Sequence, residues 1–214
     1  MLNQKEALFQ PGLGTLKGCK AKIHVDSTAT HKFCKVRPVP YAMHIRIEEE
    51  LERLTEEGIV EPIQFSEWAA PVVPVLKSDR ESIRLCGDFK MTVNQIAKPD
   101  QCPIPRLEDL FSTLAGGKTF TKLDMSQAYQ QIKLDEESKP YVVINTHKGL
   151  FRYNQLPFGV SAAPAIFQRV MESLLQGIDG VVVYLDDILV MGRTDVEHLA
   201  TLEKVLDRME QAGL

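Results

Sequence analysis

The 214-residue sequence has no long apolar run; nothing in it approaches the roughly 20 residues that a membrane-spanning helix needs. Its start, MLNQKEALFQPGLG, lacks the charged-then-apolar pattern of a signal peptide. Cysteine is scarce: Cys19, Cys34, Cys86 and Cys102, none in a CxxC pair. Without a secretory signal these read as reduced thiols, so the expected location is intracellular and cytoplasmic, with no membrane partner. Cys19, His24, His31 and Cys34 cluster, but at spacings that match no compact zinc module, and packing or surface roles are expected instead. There is no internal repeat. There is also no excess of positive charge: 25 basic and 29 acidic residues leave a net charge of −4, which does not advertise nucleic-acid binding.

What is present is ordinary globular composition, 44% apolar and 25% charged, enough for one large domain or two small subdomains. The charge is segregated. Residues 1–40 carry seven Lys and Arg against Glu6 and Asp26, a local +5 that leaves −9 for the remainder. This stretch reads as an extended arm, broken by Gly12, Gly14 and Gly18, with strand-like alternation in KAKIHV and an extended Arg37-Pro38-Val39-Pro40. A strap packed on the body, with some steering of a nucleic-acid backbone, is the expected role. A helix is predicted over 46–57, with Ile47, Leu51 and Leu54 inward, acids in the first turn and Gly58 at its end. Strands at 69–76 and 82–89 flank a polar turn, 77–81. A helix after Pro103-Ile104-Pro105 carries Leu107, Leu110, Phe111 and Leu114. Strands follow at 119–124, 130–134, 141–146 and 150–156, the last two joined by His147-Lys148-Gly149. Ser161 caps a helix with Ile166, Phe167, Val170 and Leu174 inward. Thr194-Asp195-Val196-Glu197 is a capping box opening a last helix, 195–211, with Leu199, Leu202, Leu206 and Met209 inward.

Chemistry concentrates in Val181-Val182-Val183-Tyr184-Leu185-Asp186-Asp187-Ile188-Leu189-Val190-Met191. Two β-branched runs flank two carboxylates, as in a hairpin with a two-residue loop. Asp-Asp is a poor loop, because adjacent like charges repel and such loops favour positive φ. On the hairpin alone, a solvated surface turn and a carboxylate site stand level. Upstream by 62 residues, Asp124 ends a predicted strand; by itself it reads as a turn or cap aspartate. If strand and hairpin are neighbours in one sheet, the carboxylates converge, and three together demand cations. Hard oxygen donors suit Mg²⁺, and two such ions about 3.5–4 Å apart serve in-line nucleotidyl transfer. Lys77 and Arg84, otherwise solvated surface bases, become candidates for phosphate, and Tyr129 and Phe158 for a base-binding face.

Five stretches in order carry a resemblance: SEWAAPVVPVLKSD, SIRLCGDFKMTVNQ, PIPRLEDLFSTLAGGKTFTKLDMSQAYQQIKL, HKGLFRYNQLPFGVSAAPAIFQRVM and VVVYLDDILVMGRT. Together they resemble the reverse transcriptase domain of Ty3/gypsy-type long-terminal-repeat retrotransposons, akin to the retroviral polymerases. The resemblance implies an α+β fold, the fingers and palm of a right-hand polymerase without its thumb. It implies a basic arm at 1–40, fingers at 41–97 and 132–160, and palm at 98–131 and 161–214. The implied activity is RNA-directed DNA polymerisation, adding dNTPs to a primer 3′-hydroxyl with two Mg²⁺ ions, or Mn²⁺ in their place. Asp124, Asp186 and Asp187 would be the catalytic triad, with the Met125 carbonyl a further metal ligand. Lys77, Arg84 and the amides of Gln127 and Ala128 would meet the triphosphate. Tyr129 would be the steric gate that rejects a ribose 2′-hydroxyl, with Phe158 lining the same pocket. Gln155, Gly159, Tyr184 and Leu185 would meet template and primer. Implied partners are an RNA or DNA template with its primer, dNTPs, and the thumb, RNase H and integrase segments of a Pol polyprotein, within a virus-like particle.

The sequence departs from the family at Gly87, where a bulkier apolar residue is usual, at Lys90-Met91-Thr92-Val93-Asn94, and in stopping at Leu214. The last is expected to weaken duplex binding and processivity, and to leave an open sheet edge. An alternative is an inactive relic that only binds nucleic acid. A phosphoacceptor signalling domain also groups three carboxylates, but its acid pair comes first and on a parallel sheet, the reverse of the order here.

Overall fold

A computed structural model of the chain describes residues 2–10, 12–26, 28–77, 82–100, 102 and 105–214. The tip of the predicted 77–81 turn and the Pro103-Ile104 lead-in lie outside the described residues. In chain order the elements are β1 (Lys20–Ala21), α1 (His44–Glu56), β2 (Val60–Ile63), β3 (Ala70–Leu76), β4 (Ile83–Gly87), α2 (Leu107–Thr113), β5 (Thr119–Asp124), β6 (Lys133–Leu134), β7 (Val143–Thr146), β8 (Gly149–Tyr153), α3 (Ala163–Leu175), β9 (Val181–Tyr184), β10 (Asp187–Gly192) and α4 (Asp195–Ala212), with short 3₁₀ turns between. They fall into two units. The first comprises Met1–Cys19, Asp100–Ile132 and Pro164–Leu214; the second comprises Lys20–Pro99 and Lys133–Ala163.

The second unit is built on a five-stranded sheet ordered β2-β8-β7-β3-β4, with β3 and β7 parallel and the other pairs antiparallel. Apolar residues at helical spacing put Ile47, Leu51 and Leu54 of α1 under the sheet, none more than 3% exposed, at about 1.5–3 kcal/mol each. Tyr153 is buried beside Phe89, its hydroxyl donating to the Leu85 carbonyl, and burial raises its pKa. Gly87 is explained here: a Cβ would stand 2.6 Å from the Phe89 ring, so the bulkier residue usual in the family has no room. β1 pairs in parallel with β6. KAKIHV keeps its alternation, Ala21 and Ile23 being buried, but forms only this short strand because its partner is equally short.

The first unit holds a three-stranded antiparallel sheet, β5-β10-β9. β5 has the predicted bounds. Thr121 and Leu123 are half-buried, and Phe120, Lys122 and Asp124 are exposed on the opposite face. α4 packs on the sheet through Leu202, Val205, Leu206 and Met209, and through His198, whose ring meets the Thr121 hydroxyl at 2.9 Å. Thr194 caps this helix by accepting from Glu197 N–H. The Glu197 carboxylate returns to the Arg193 N–H, one residue earlier than an ideal capping box.

Several expectations are corrected. Residues 130–134 are not one strand: Ala128–Gln131 is a 3₁₀ turn, set by left-handed Gln127, and only Lys133–Leu134 pairs. The strand expected from 141 begins at Val143, because Pro140 sits in a 3₁₀ turn, Lys139–Tyr141. α1 starts two residues early, so its first turn holds no acid. α3 starts at Ala163, leaving Ser161 outside, where its N–H donates to the Asn94 side chain. Leu199 (51% exposed) faces outward. In α4 the polar His198 takes the inward position, and Leu199, about 100° further round, is turned away.

Candidate active site

The hairpin β9–β10 turns one residue earlier than its sequence suggests. Tyr184 pairs with Asp187, so the two-residue loop is Leu185-Asp186 and Asp187 opens β10. Leu185 has φ +55°, the positive value that a II′-type loop needs at its first position. A branched apolar side chain there is strained by about 1–2 kcal/mol. Buried Gln168 of α3 opposes that strain. Its amide nitrogen donates to the Val183 carbonyl, and its amide oxygen accepts from the Leu185 N–H, both at 2.8 Å. One side chain thus grips the backbone on both sides of Tyr184 and covers the outer edge of β9. Sequence reasoning named the helix but missed this residue; a glutamine among Ile166, Phe167 and Val170 was the available signal.

The register then places the aspartates. Asp187 lies directly opposite Asp124 across β10 and β5, so both side chains project from one face. The Met125 N–H donates to the Asp186 carbonyl at 3.1 Å, tying the loop to the end of β5. Gln127, with φ +49° and ψ +41°, reverses the chain just after. Leu185 and Gln127 are the positive-φ residues other than glycine among the described residues, and both border this site. Tyr129 packs its ring edge-on against Phe167 at 5.6 Å; burial and then the Asp186 charge raise its pKa.

Lys122, two residues before Asp124, sits on the same face. Its Nζ meets Asp187 Oδ2 at 2.7 Å. That bond, with the added charges of Asp124 and Asp186, raises the Lys122 pKa. Among the described residues no three His, Cys, Asp or Glu side chains are gathered closely enough to hold a metal ion. The donor set nevertheless fits one: three carboxylates and the Met125 carbonyl are hard oxygens at adjacent strand ends, and Asp187 is turned to a lysine in place of a shared cation.

The other predicted residues lie in the second unit. The Arg84 guanidinium stands 4.7 Å over the Phe158 ring. Lys77 closes β3 by donating its N–H to the Ser82 carbonyl, with its side chain exposed. Gly159, at φ +91°, accepts from Asn94 through its carbonyl, and a Cβ there would come within 3.0 Å of the Gly87 carbonyl. Gln155 is buried beside Lys133, and its Oε1 has no hydrogen-bond partner among the described residues.

Residues 75–214 match the family described as reverse transcriptase (RNA-dependent DNA polymerase). The chain belongs to that family. An uncharacterized protein of Caenorhabditis elegans is 39% identical over 99% of this chain and 17% of its own length. The retrovirus-related Pol polyprotein from transposon opus of Drosophila melanogaster is 30% identical over 100% of this chain and 22% of its own. The Tf2-3 transposon polyprotein of Schizosaccharomyces pombe is 30% identical over 93% and 15%. The domain therefore spans less than a quarter of each of these relatives. Prototype foamy virus protease-reverse transcriptase superposes on 99% of the chain, and 28% of its own, with a TM-score of 0.88 at 25% identity. Foamy viral protease-reverse transcriptase in complex with RNA/DNA hybrid gives 0.87 at 24% identity, over 99% and 28%. The domain has the α+β fingers-and-palm fold of a right-hand polymerase. No helix among the described residues is long and apolar enough to cross a membrane.

Proposed function

We propose that this reverse transcriptase domain performs RNA-directed DNA synthesis, adding dNTPs to a primer 3′-hydroxyl paired with an RNA template. The observation that carries the proposal is the register of β5 and β10, which sets Asp187 opposite Asp124 with Asp186 in the adjoining loop. Asp124, Asp186, Asp187 and the Met125 carbonyl would hold two Mg²⁺, or Mn²⁺. When bound, such ions lower the pKa of an attacking hydroxyl and offset charge on the departing pyrophosphate. The chain's own residues orient and select. Strained Leu185, held by Gln168, would meet the primer end beside Tyr184. Left-handed Gln127 ahead of a helical turn is a backbone form that suits anions, and its amide and that of Ala128 would take triphosphate oxygens. Lys77 and Arg84 would supply the cations, and Phe158, stacked under Arg84, a flat apolar wall. Tyr129, fixed on Phe167, would be the gate against a ribose 2′-hydroxyl. Gln155 and Gly159 would position template and primer.

We assign the palm to the first unit and the fingers to the second. We further propose that the domain works as one segment of a cytoplasmic, particle-associated Pol polyprotein, with thumb, RNase H and integrase segments. The test is addition of one dNTP to a DNA primer on an RNA template with Mg²⁺, at protein in excess of template so that processivity does not enter. Asp186→Asn is expected to reduce addition by on the order of 10³-fold or more. Binding of primer-template with no addition by the unaltered chain would instead make it an inert nucleic-acid-binding module.

A further inference from the structure

Among the described residues, Lys122 is the cation paired with the aspartate cluster. It alternates with Asp124 along β5, so both project from the same face, and it is the diagonal neighbour of Asp187 across β10. Directly opposite Lys122 stands Leu189, which offers no acceptor. The Lys122 ammonium instead reaches to Asp187 Oδ2 at 2.7 Å, and the Lys122 side chain is 58% exposed, so it can withdraw into solvent. Phe120, next along the same face, is also apolar and exposed. The charged groups facing the ammonium are therefore Asp187, Asp124 and Asp186.

We propose that Lys122 is a positioning residue that holds Asp187 in reserve, competing with divalent cations for its carboxylate until they enter. The proposal rests on the reading of the three aspartates as metal ligands. Three unshielded carboxylates at adjacent strand ends repel one another, and one lysine offsets part of that repulsion. It also turns Asp187 toward itself, Nζ to Oδ2 at 2.7 Å. An arriving divalent ion does two things at once: it outbids a single positive charge for the carboxylate, and it repels the ammonium. Entry of the metal and release of Lys122 are then one coupled event, which leaves the lysine free to face solvent or a polyanion.

The test is Mn²⁺ binding to the whole chain, read from loss of the free-ion electron paramagnetic resonance signal without nucleotide or nucleic acid. Asp186→Asn first establishes which binding belongs to the aspartates. Lys122→Gln, at an exposed position, is expected to tighten that binding by about two- to fivefold, the range of an exposed ion pair. The gain should shrink as salt rises, because such a pair is screened. Lys122→Arg, which keeps charge and donors, should restore the original affinity. Lys118→Gln, another exposed lysine just before the same strand, should leave it unchanged; melting curves confirm that each variant is folded. Unchanged or weaker binding by Lys122→Gln, with binding that Asp186→Asn removes, overturns the proposal while leaving the metal-ligand reading intact. No Mn²⁺ binding that depends on Asp186 overturns both.

Discussion

Two hairpins in this chain close through loops of the same length and are held in opposite ways. Between β7 and β8 the loop is His147-Lys148, and neither residue has a positive φ; that value, +106°, falls on Gly149, which has no side chain to clash. The turn is braced from within its own strand. Thr146 Oγ1 donates to the Gly149 carbonyl and accepts from the Lys148 N–H, while His147 and Lys148 both reach Glu48 of α1. Between β9 and β10 the loop is Leu185-Asp186. No glycine is supplied, leucine carries the positive φ, and the brace comes from buried Gln168 on α3. The first hairpin puts its positive φ on glycine, so neither its own Thr146 nor Glu48 of α1 has backbone strain to oppose. The second keeps an unfavourable backbone and three exposed or half-exposed carboxylates, and relies on a residue 17 positions away to hold it. Strain of that kind persists where a site over-determines its backbone.

The comparison breaks most sharply at Gln168. Gln168→Leu fills a similar volume but strands the Val183 carbonyl and the Leu185 N–H. The expected loss is about 2–4 kcal/mol of stability, measured by urea unfolding, with dNTP addition falling more than the fraction unfolded explains. If stability drops and the addition rate of the folded fraction is unchanged, the clamp is structural only. In the other hairpin the matching test is Gly149→Ala. A Cβ there meets nothing within 4 Å, so any cost is that of the backbone. About 1–2 kcal/mol is expected, with dNTP addition unaltered at temperatures where the chain stays folded.

How much was legible in sequence divides along the same line. β5 runs from Thr119 to Asp124 as the sequence implies, and the β9–β10 pairing follows from two β-branched runs. Family motifs located the aspartates independently. What the sequence hid were features set by long-range partners. The two β-branched runs alone imply an Asp-Asp loop, whereas pairing of Tyr184 with Asp187 shifts it to Leu185-Asp186. Gln168 looks like one polar residue on an apolar helix until the β9 edge is beside it. Leu199 reads as inward because it is apolar, yet a histidine-to-threonine contact decides which face of α4 is buried. Lys122 reads as a solvated strand residue until the register places it diagonally from Asp187.

Glu48 offers the smallest and most specific test of how the β7–β8 hairpin is held. Lys148 first, and His147 second, hold its carboxyl below the usual carboxylate range. A depressed folded-state pKa means that stability from these contacts is fully present above the unfolded carboxyl value, about 4.3, and is lost as pH falls through the lower folded value. The pairs are partly exposed, at 40% for the Glu48 side chain, so screening keeps the effect small. Glu48→Gln is expected to lower the urea midpoint at pH 7 by on the order of a few tenths molar. The gap to the unaltered chain should narrow as pH falls below the unfolded value and close at a pH low enough that the native carboxyl is itself protonated. A gap that persists unchanged at that pH would trace the loss to packing of the side chain on α1, and would leave Thr146 and Gly149 as the whole of the local brace.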